Sequence, residues 1–335
     1  MSFKILSLTV KNYRNLAEKK INFCEQINWI TGENGNGKTN ILEAIYYIAN
    51  RKSFRKNTSF PQLLSYDCEK PEIILDADFN SSTFGLTRIA GKVSPSGMEW
   101  YHDGQQFKKR IVVPIVFINP FDSYAFHNQA SFRREWFDTY FSQLDCVYKK
   151  VLSRYGVALK FRNKLLAIKP DKLLSQLSAI DKELYKLSAI ISKHRQEYIT
   201  QLDKIILNTF SEIFDEKFNL KLLMKSKISG NNEEDFQKYL SKNIEKDIII
   251  GHTTGGIHKD DYMLLINDFN SFEYASLGQQ KMSYLSLLFA YIELFRYKSN
   301  TYPLVLMDDV SGELDKLRWR RLIQYLNKKK FQVLI

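Results

Sequence analysis

The chain has 335 residues, 44% hydrophobic and 26% charged, which supports one large core or two modest ones and excludes a largely disordered protein. Its three cysteines, Cys24, Cys68 and Cys146, are odd in number and far apart, so they predict neither a disulfide framework nor a zinc knuckle, and a reducing cytoplasm is expected. No apolar run approaches the ~20 residues that span a bilayer, so neither secretion nor membrane insertion is expected. The 49 Lys and Arg residues exceed the 37 Asp and Glu residues, and the resulting charge of +12 favours a polyanionic partner.

The first predicted elements are two strands and a helix that flank a glycine-rich loop. Leu6, Leu8 and Val10 alternate with polar residues as in a half-buried strand, and the apolar stretch at residues 27–30 runs directly into the glycines. After the loop, apolar residues recur at the spacing of one helix face: Ile41, Leu42, Ile45 and Ile48. The loop is therefore expected to connect a strand to a helix.

The loop itself matches the phosphate-binding pattern G-x-x-x-x-G-K-T. It consists of Gly32, Glu33, Asn34, Gly35, Asn36, Gly37, Lys38 and Thr39, and Asn40 follows it in the helix. The glycines let the backbone curl around phosphate, Lys38 can reach the β and γ oxygens, and the Thr39 hydroxyl can bind magnesium. The helix start adds free N–H groups and the positive end of the helix dipole. We therefore predict an ATP site built from these residues, in which Lys38 also takes part in catalysis.

The middle of the chain predicts a helical hairpin between two stretches of strand and helix. Residues 72–79 and 111–118 read as further strands. Apolar residues then follow spacings of three and four from Phe137 to Leu165, with Arg162 as a charged member, and again along residues 173–191. Lys169-Pro170-Asp171 separates the two series, so we expect an antiparallel hairpin with arms of ~30 residues, about 45 Å long.

The segment Ala275-Ser276-Leu277-Gly278-Gln279-Gln280 is typical of the signature with which one ATP-binding-cassette head grips nucleotide held by another. A helix with one apolar face is predicted to begin at Ser276, Gly278 and Gln279. The Ser276 hydroxyl, the free backbone N–H groups and the positive end of the helix dipole could therefore bind one anion together. An ordinary helix cap is the alternative, and the position ahead of an acidic strand end favours the signature. In a head of this fold Ser276 would serve a second protomer's nucleotide, so ATP is expected to pair two copies.

The apolar stretch at residues 303–307 ends in Asp308-Asp309, 270 positions (308 − 38) after Lys38. We assign magnesium to Asp308 together with Thr39, and the catalytic base to Asp309. A solvated acidic turn is the alternative, which the upstream glycine loop disfavours. The catalytic base at this position is usually a glutamate. Because the aspartate side chain of Asp309 is shorter, we expect slow ATP hydrolysis.

The order of these motifs predicts the fold class and the domains. We expect an α/β, ABC-type P-loop ATPase head with an inserted α-helical hairpin domain. The predicted segments are residues 1–125 with the P-loop, 126–245 with the helical arm, and 246–335 with the signature and the acidic strand end.

Clusters of basic residues are candidates for DNA contacts, although most charge runs are merely solvated faces. A DNA clamp needs several of them along one groove, where phosphate neutralisation makes binding fall with salt. The candidates are Arg51, Lys52, Arg55, Lys56, Lys108, Lys109, Arg110, Lys149 and Lys150.

These residues together resemble the RecF family of bacterial DNA replication and repair proteins, which are related to SMC heads. The resemblance extends from about Phe3 to the last residue and rests on several short matching segments. Asn12-Tyr13-Arg14-Asn15 resembles an early Asn-Phe-Arg-Asn element, which implies that Arg14 lies near the nucleotide. Residues 256–261 are similar to a Gly-Pro-His-Arg-Asp-Asp element, and residues 308–315 match the family's acidic strand end.

The resemblance implies ATP-dependent dimerisation on duplex DNA near single-strand gaps, and cooperation with RecR and RecO in placing RecA. Phe121 replaces an expected glutamate, which leaves open the position of a lid that senses the γ-phosphate near Asp122. Chains of the family normally continue, beyond the position of Ile335, into a switch segment. We therefore expect ATPase activity to be impaired, whereas nucleotide binding should survive.

Two alternative functions share some of these motifs. The ATPase subunit of a membrane importer carries the P-loop, signature and acidic pair, but neither the hairpin nor the Arg133-Arg134 segment is expected there. A structural DNA clamp that binds ATP without turnover is consistent with Asp309 in the position of the base.

Overall fold

The computed structural model describes residues 2–81, 85–109, 111, 113–214, 218–228 and 230–335, apart from the side chains of Pro120, Ser311 and Glu313. The chain forms two compact units. Unit 1 comprises Met1–Asp122 and Ile292–Ile335, and unit 2 comprises Ser123–Tyr291. None of the described helices combines the length and the apolar character needed to cross a membrane.

The strands, in chain order, are β1 Lys4–Lys11, β2 Lys20–Asn22, β3 Ile27–Asn28, β4 Ile73–Ser81, β5 Gly85–Ser94, β6 Gly97–His102, β7 Gln105–Gln106, β8 Ile115–Ile118, β9 Leu220–Lys225, β10 Asp261–Ile266, β11 Phe269–Asn270, β12 Leu304–Met307 and β13 Val333–Leu334. The helices are α1 Lys38–Asn50, α2 Phe60–Leu63, α3 Pro120–Asn128, α4 Ala130–Leu144, α5 Cys146–Ile168, α6 Leu173–Ile213, α7 Glu233–Ile250, α8 Ser271–Tyr274, α9 Leu277–Ser299 and α10 Lys316–Lys328. Short 3-10 turns cover Ile257–Lys259 and Val310–Glu313.

Unit 1 contains two sheets around one core. The first is antiparallel with the order β2-β1-β4-β5-β6-β7, and the buried and exposed residues of β4 alternate as expected for a sheet covered on one face. The second is parallel with the order β3-β13-β12-β8. Residues of α1, such as Leu42 and Ile45, share one hydrophobic core with Leu75 of β4 and Leu306 of β12.

The parallel sheet positions the candidate site. Every residue of β12 is buried, as expected for a parallel strand that is covered on both faces. Because β3 and β12 point in the same direction, the loop after β3 and the Asp308-Asp309 pair after β12 emerge at the same edge. This arrangement confirms the predicted order of strand, loop and helix around the glycines.

Unit 2 contains the predicted hairpin. Helices α5 and α6 pack against each other and are joined by a turn in which Lys169 adopts a left-handed conformation (φ 52°). The first apolar series is not one helix, because Asp145 ends α4 and caps α5 by accepting a hydrogen bond from the Val147 N–H. The arms are therefore unequal, with 23 residues in α5 and 41 in α6.

The boundaries of the two units differ from those of the three predicted segments. Strand β9 lies in the segment predicted as the helical arm domain, and it pairs with β10, which follows the predicted boundary at residue 246. The two strands form one sheet with β11, so the residues on both sides of that boundary fold together in unit 2. The three-segment organisation stays a prediction.

Candidate nucleotide-binding site

The glycine loop is folded around the Lys38 side chain. The Lys38 Nζ donates to the carbonyl oxygens of Gly32 (2.6 Å) and Glu33 (3.0 Å), and the Asn34 Oδ1 lies 3.4 Å away. The Asn36 N–H donates to the Glu33 carbonyl at 3.3 Å, which closes the turn. Lys38 therefore points along the inner side of the loop, where the backbone N–H groups of a P-loop meet phosphate.

Gly37 shows why this loop requires glycine. Its φ of +85° lies in the left-handed region, and a Cβ atom would come within 2.8 Å of both the Asn15 Oδ1 and the Leu16 Cδ2. A larger residue would be strained at this φ and would have to displace the ends of the Asn15 and Leu16 side chains.

Thr39 and Asp308 meet at the carboxyl edge of the parallel sheet. The Thr39 Oγ1 donates to the Asp308 Oδ1 at 2.8 Å, although the two residues lie 269 positions apart in the chain. Burial raises the pKa of Asp308, and the neighbouring Asp309 raises it further. Asp309 itself is exposed and adopts a left-handed conformation (φ 47°). A hydroxyl and a carboxylate in contact fit a magnesium ion, which prefers oxygen ligands.

The described residues contain no group of three or more His, Cys, Asp or Glu side chains that could hold a metal ion without further ligands. A magnesium ion at Thr39 and Asp308 would thus share its coordination with nucleotide phosphate, as is usual for ATPases.

A buried carboxylate, Glu43, organises the residues beside the loop. Its side chain is fully buried in α1 and accepts hydrogen bonds from the Arg14 Nε (3.0 Å) and Nη2 (2.8 Å). The Ser53 hydroxyl also donates to Glu43, and the Arg55 Nη1 lies 3.6 Å from its Oε2. Two guanidinium groups thus compensate one buried carboxylate.

Hydrogen bonds continue from this cluster to the glycine loop. The Arg55 Nη2 donates to the Asn40 Oδ1 at 2.9 Å, and the Asn40 Nδ2 donates to the Asn15 Oδ1 at 2.7 Å. The Asn15 Nδ2 in turn donates to the Gly35 carbonyl at 2.7 Å. Arg14, predicted to lie near the nucleotide, thus holds Glu43, while the adjacent Asn15 contacts the loop.

The loop opens onto a cleft of about 650 Å³ within unit 1. Of the predicted ATP-binding residues, Asn34, Gly35, Gly37, Lys38, Thr39 and Asn40 line it. Arg55, Asp308 and Asp309 also line it, and so do Trp29 and Trp319, whose rings meet edge to face at 6.1 Å. The cleft therefore combines cations, carboxylates and an aromatic wall.

The predicted signature residues form a helix cap in unit 2. The Ser276 Oγ accepts from the Gln279 N–H at 3.3 Å, and the Gln279 Oε1 accepts from the Ser276 N–H at 2.8 Å. This reciprocal pair is a capping box at the start of α9, next to Gly278. Because Ser276 is exposed and its hydroxyl proton remains available to donate, a cap and an anion contact are compatible.

The structure assigns different environments to the predicted DNA contacts. Arg51 donates to the backbone carbonyls of Phe107, Lys108 and Lys109, and its guanidinium lies 5.1 Å from the centre of the Trp100 ring. The Arg51 side chain thus holds the 107–109 loop. The remaining described candidates have exposed side chains: Lys52, Arg55, Lys56, Lys108, Lys109, Lys149 and Lys150. Of these, Arg55 lines the nucleotide cleft. Arg110 lies outside the described residues.

The sequence pattern did not identify Glu43, Asn15 and Ser53, which surround the loop. Arg55, predicted as a DNA contact, lines the nucleotide cleft, and its role in DNA binding stays a prediction. Glu43 carried a usable signal, since it is the one charged residue in the otherwise apolar run at residues 41–49, and a charge requires a partner if that helix is buried. The other contacts depend on which loops pack together.

Comparison with known proteins decides the family. A family model described as an AAA ATPase domain matches residues 3–310. The DNA replication and repair protein RecF of Lachnospira eligens is 33% identical over 325 residues, which cover 95% of this chain and 88% of that protein. The chain belongs to the RecF family. RecF of Ruminiclostridium cellulolyticum is 32% identical over 346 residues, covering 97% of this chain and 90% of that protein.

Solved structures agree with this assignment to the RecF family. The recombination mediator protein RecF of the RecFOR pathway, solved with ATP, has a TM-score of 0.87 and 28% identity over 100% of this chain and 91% of that chain. An Smc head domain from Pyrococcus furiosus has a TM-score of 0.60 at 16% identity, over 99% of this chain and 89% of that chain, which shows the fold alone. The predicted fold class and the RecF resemblance are confirmed, and the chain is a DNA replication and repair protein with an ATPase domain.

Proposed function

We propose that this protein binds ATP and DNA in replication and recombinational repair. ATP binding drives dimerisation on double-stranded DNA near single-strand gaps, the dimer helps RecR and RecO to load RecA, and slow hydrolysis releases it. The contact between Thr39 and Asp308 supports the ATPase part of this proposal, because it joins the glycine loop to the acidic strand end. The RecFOR pathway named for the similar structure supports the partners, and work on the chromosome implies a cytoplasmic location.

The proposed roles of the site residues follow from their placement. The glycine loop and Lys38 would bind the phosphates, with Asn40 at the start of α1 beside them. Magnesium held by Thr39 and Asp308 would neutralise charge on the phosphates. Asp309, exposed at the same edge, would orient and deprotonate the attacking water. Ser276, Gly278 and Gln279 would reach the nucleotide held by a second copy, so each ATP would lie between two subunits.

A DNA clamp that binds ATP without turnover is the second candidate function, favoured by the aspartate in the position of the base. Steady hydrolysis that duplex DNA stimulates would exclude it. No contact among the residues that the structure describes favours a transporter subunit.

The substitution Asp309→Asn tests whether ATP binding drives dimerisation. The substitution keeps the shape of the side chain but removes the base, so hydrolysis is expected to fall about 100-fold or more while ATP binding is retained. Size-exclusion chromatography with light scattering should then show a dimer with ATP and a monomer without nucleotide. Lys38→Ala, which removes a phosphate contact, should bind ATP poorly and stay monomeric. A monomeric Asp309→Asn protein at saturating ATP would overturn ATP-driven dimerisation.

A further inference from the structure

Helix α10 of unit 1 has an exposed face that is strongly basic. Residues 314–335 contain seven Lys or Arg residues and one acidic residue, Asp315. Among the described residues of α10, those with exposed side chains recur at the spacing of one helix face and include four cations and no carboxylate. They are Lys316, Leu317, Arg320, Arg321, Gln324, Asn327 and Lys328. We call these residues the basic face.

The carboxylates beside the two ends of α10 already have partners. Asp315 accepts hydrogen bonds from the N–H groups of Leu317 (3.0 Å) and Arg318 (2.9 Å), and its carboxylate lies 2.7 Å from the Arg318 Nη1. Glu293 lies 3.1 Å from both the Arg296 Nε and the Lys329 Nζ, close to the other end of the helix. Neither carboxylate therefore neutralises the basic face.

The cations of the basic face leave a net positive charge on this side of the helix. Within the part of the chain that the structure describes, Lys316, Arg320 and Lys328 form no ion pair with a carboxylate. The acidic pair of the nucleotide site lines the cleft, which α10 borders through the half-buried Trp319 and not through the basic face. A concentration of one sign of charge attracts a polyanion.

The basic face suits neither a membrane nor a protein partner. A helix that lies on a bilayer inserts its apolar side, but the apolar side of α10 is already buried in the fold through Leu322, Tyr325 and Leu326. Protein interfaces usually have an apolar centre, whereas Leu317 is the one large apolar side chain that the described residues of α10 expose. Cations and side-chain amides with little apolar area fit the phosphates of a nucleic acid.

The length and composition of the basic face favour duplex DNA. From Lys316 to Lys328 the helix rises ~18 Å, at ~1.5 Å per residue. Duplex DNA carries one negative charge per ~1.7 Å of its axis, so about ten charges lie along this length. Proteins that bind single strands stack the bases on aromatic side chains, and the seven residues of the basic face include no aromatic residue.

We propose that the basic face of α10 binds the phosphate backbone of duplex DNA, as a contact separate from the basic clusters at residues 51–56, 108–110 and 149–150. This inference rests on the proposed DNA binding. Because the phosphates are the same in every sequence, this contact adds affinity and orientation without base preference.

A triple variant that combines Lys316→Ala, Arg320→Ala and Lys328→Ala tests the basic face. All three side chains are exposed, so the fold should persist, which circular dichroism can verify. DNA affinity is measured at saturating ATP across a salt series, on two duplexes of unrelated sequence. The slope of log K against log salt should become shallower by about 2.7, because each phosphate contact contributes about 0.9. Affinity should fall by the same factor on both duplexes.

The matched control combines Lys19→Ala, Lys70→Ala and Lys204→Ala, which remove the same charge from three exposed lysines elsewhere. Its slope should equal that of the parent protein. If the parent binds duplex DNA and the basic-face variant keeps the parent's slope, the inference is overturned while the proposed function stands. An equal loss of slope in both triple variants would show a general effect of net charge and would also overturn it.

Two further measurements separate this DNA contact from other roles of α10. In isothermal titration calorimetry the basic-face variant should bind ATP like the parent protein. Weakened ATP binding with an unchanged DNA slope would assign these residues to the nucleotide cleft and overturn the inference. Lost binding to phosphatidylglycerol vesicles with an unchanged DNA slope would make the face a membrane contact, with the same consequence. A parent protein that retains no duplex DNA overturns the proposed DNA binding itself.

Discussion

Arg55 and Lys56 are adjacent basic residues with different surroundings. Arg55 lines the nucleotide cleft, lies 3.6 Å from the buried Glu43 and donates to Asn40 at the start of α1. Its positive charge also lowers the pKa of Asp308, against the larger effect of burial. Lys56 is exposed on the turn that follows. We therefore expect Arg55 to contribute to nucleotide binding, and Lys56 remains a DNA candidate.

Arg55→Ala is expected to weaken ATP binding about tenfold or more, because a hydrogen bond to a charged group contributes about 1.5–3 kcal/mol. Lys56→Ala, the matched control, should bind ATP normally. Isothermal titration calorimetry with ATP measures both variants, and Arg14 remains paired with Glu43 in each, so the fold is expected to hold. Unchanged ATP affinity in Arg55→Ala would return this residue to the DNA candidates.

Helices α5, α6 and α7 are held together by buried charges as well as by apolar packing. Arg162, the charged member of the apolar series, is fully buried and donates at 2.7 Å to Asp181 of α6 and at 2.7 Å to Asp247 of α7. Asp247 also accepts from the N–H and the hydroxyl of Thr254. Nearby, burial lowers the pKa of His258 to about 4, so its ring is neutral at pH 7, and its Nδ1 lies 2.9 Å from the Tyr155 hydroxyl.

Asp247→Ala is expected to destabilise unit 2 by about 3–5 kcal/mol, because it leaves a buried guanidinium short of a partner. Glu183→Ala removes an ion pair to Arg154 between α5 and α6 that is exposed, and it should cost less than about 1 kcal/mol. Urea unfolding followed by circular dichroism at 222 nm compares the two variants. Equal midpoints would show that the buried network contributes little to stability.

At the scale of the whole molecule, the two halves of the proposed ATP site lie in different units. The glycine loop and Asp308 belong to unit 1, and the signature belongs to unit 2. The predicted DNA contacts are also divided between the units, since Lys149 and Lys150 belong to unit 2 and the others to unit 1. Within unit 1, Arg51 joins two of the predicted basic clusters, because it hydrogen-bonds the 107–109 loop to the end of α1. Lys52, Lys56, Lys108 and Lys109 thus belong to one region of unit 1.

DNA retention across a salt series, with and without ATP, tests this region. Binding should fall steeply with salt and depend little on sequence, because phosphate contacts release counterions. Lys56→Ala and Lys108→Ala should each reduce the slope of log K against log salt by about 1. Lys19→Ala, at an exposed lysine outside the predicted clusters, is the control and should leave the slope unchanged. Equal slopes in all three variants would place the DNA contact elsewhere.

Local patterns were sufficient for the main elements of the site. The glycine spacing, the apolar face of α1 and the buried strand before Asp308 each depend on neighbours within one element, so their periodicity could be read directly. The break at Asp145 was missed because the apolar spacing continues through it, and a single capping side chain ended the helix. Strand β9 was missed because its partner, β10, lies about 40 residues further along the chain.

The sequence by itself determined the resemblance to the family, the order of strand, loop and helix at the glycines, the buried strand that ends at Asp308, and the helical hairpin, because each depends on residue types at short, regular spacing within one segment. Only the tertiary structure decided that Glu43 joins Arg14 and Arg55, and that Arg51 holds a loop. It also decided that the buried Gln280 amide contacts the carbonyls of Ser271, Phe272 and Ala275, just before the signature. These contacts join segments brought together by packing, and a buried charge or amide takes the partner that the fold supplies. Residue identity shows that such a group needs a partner, and the three-dimensional arrangement selects which one.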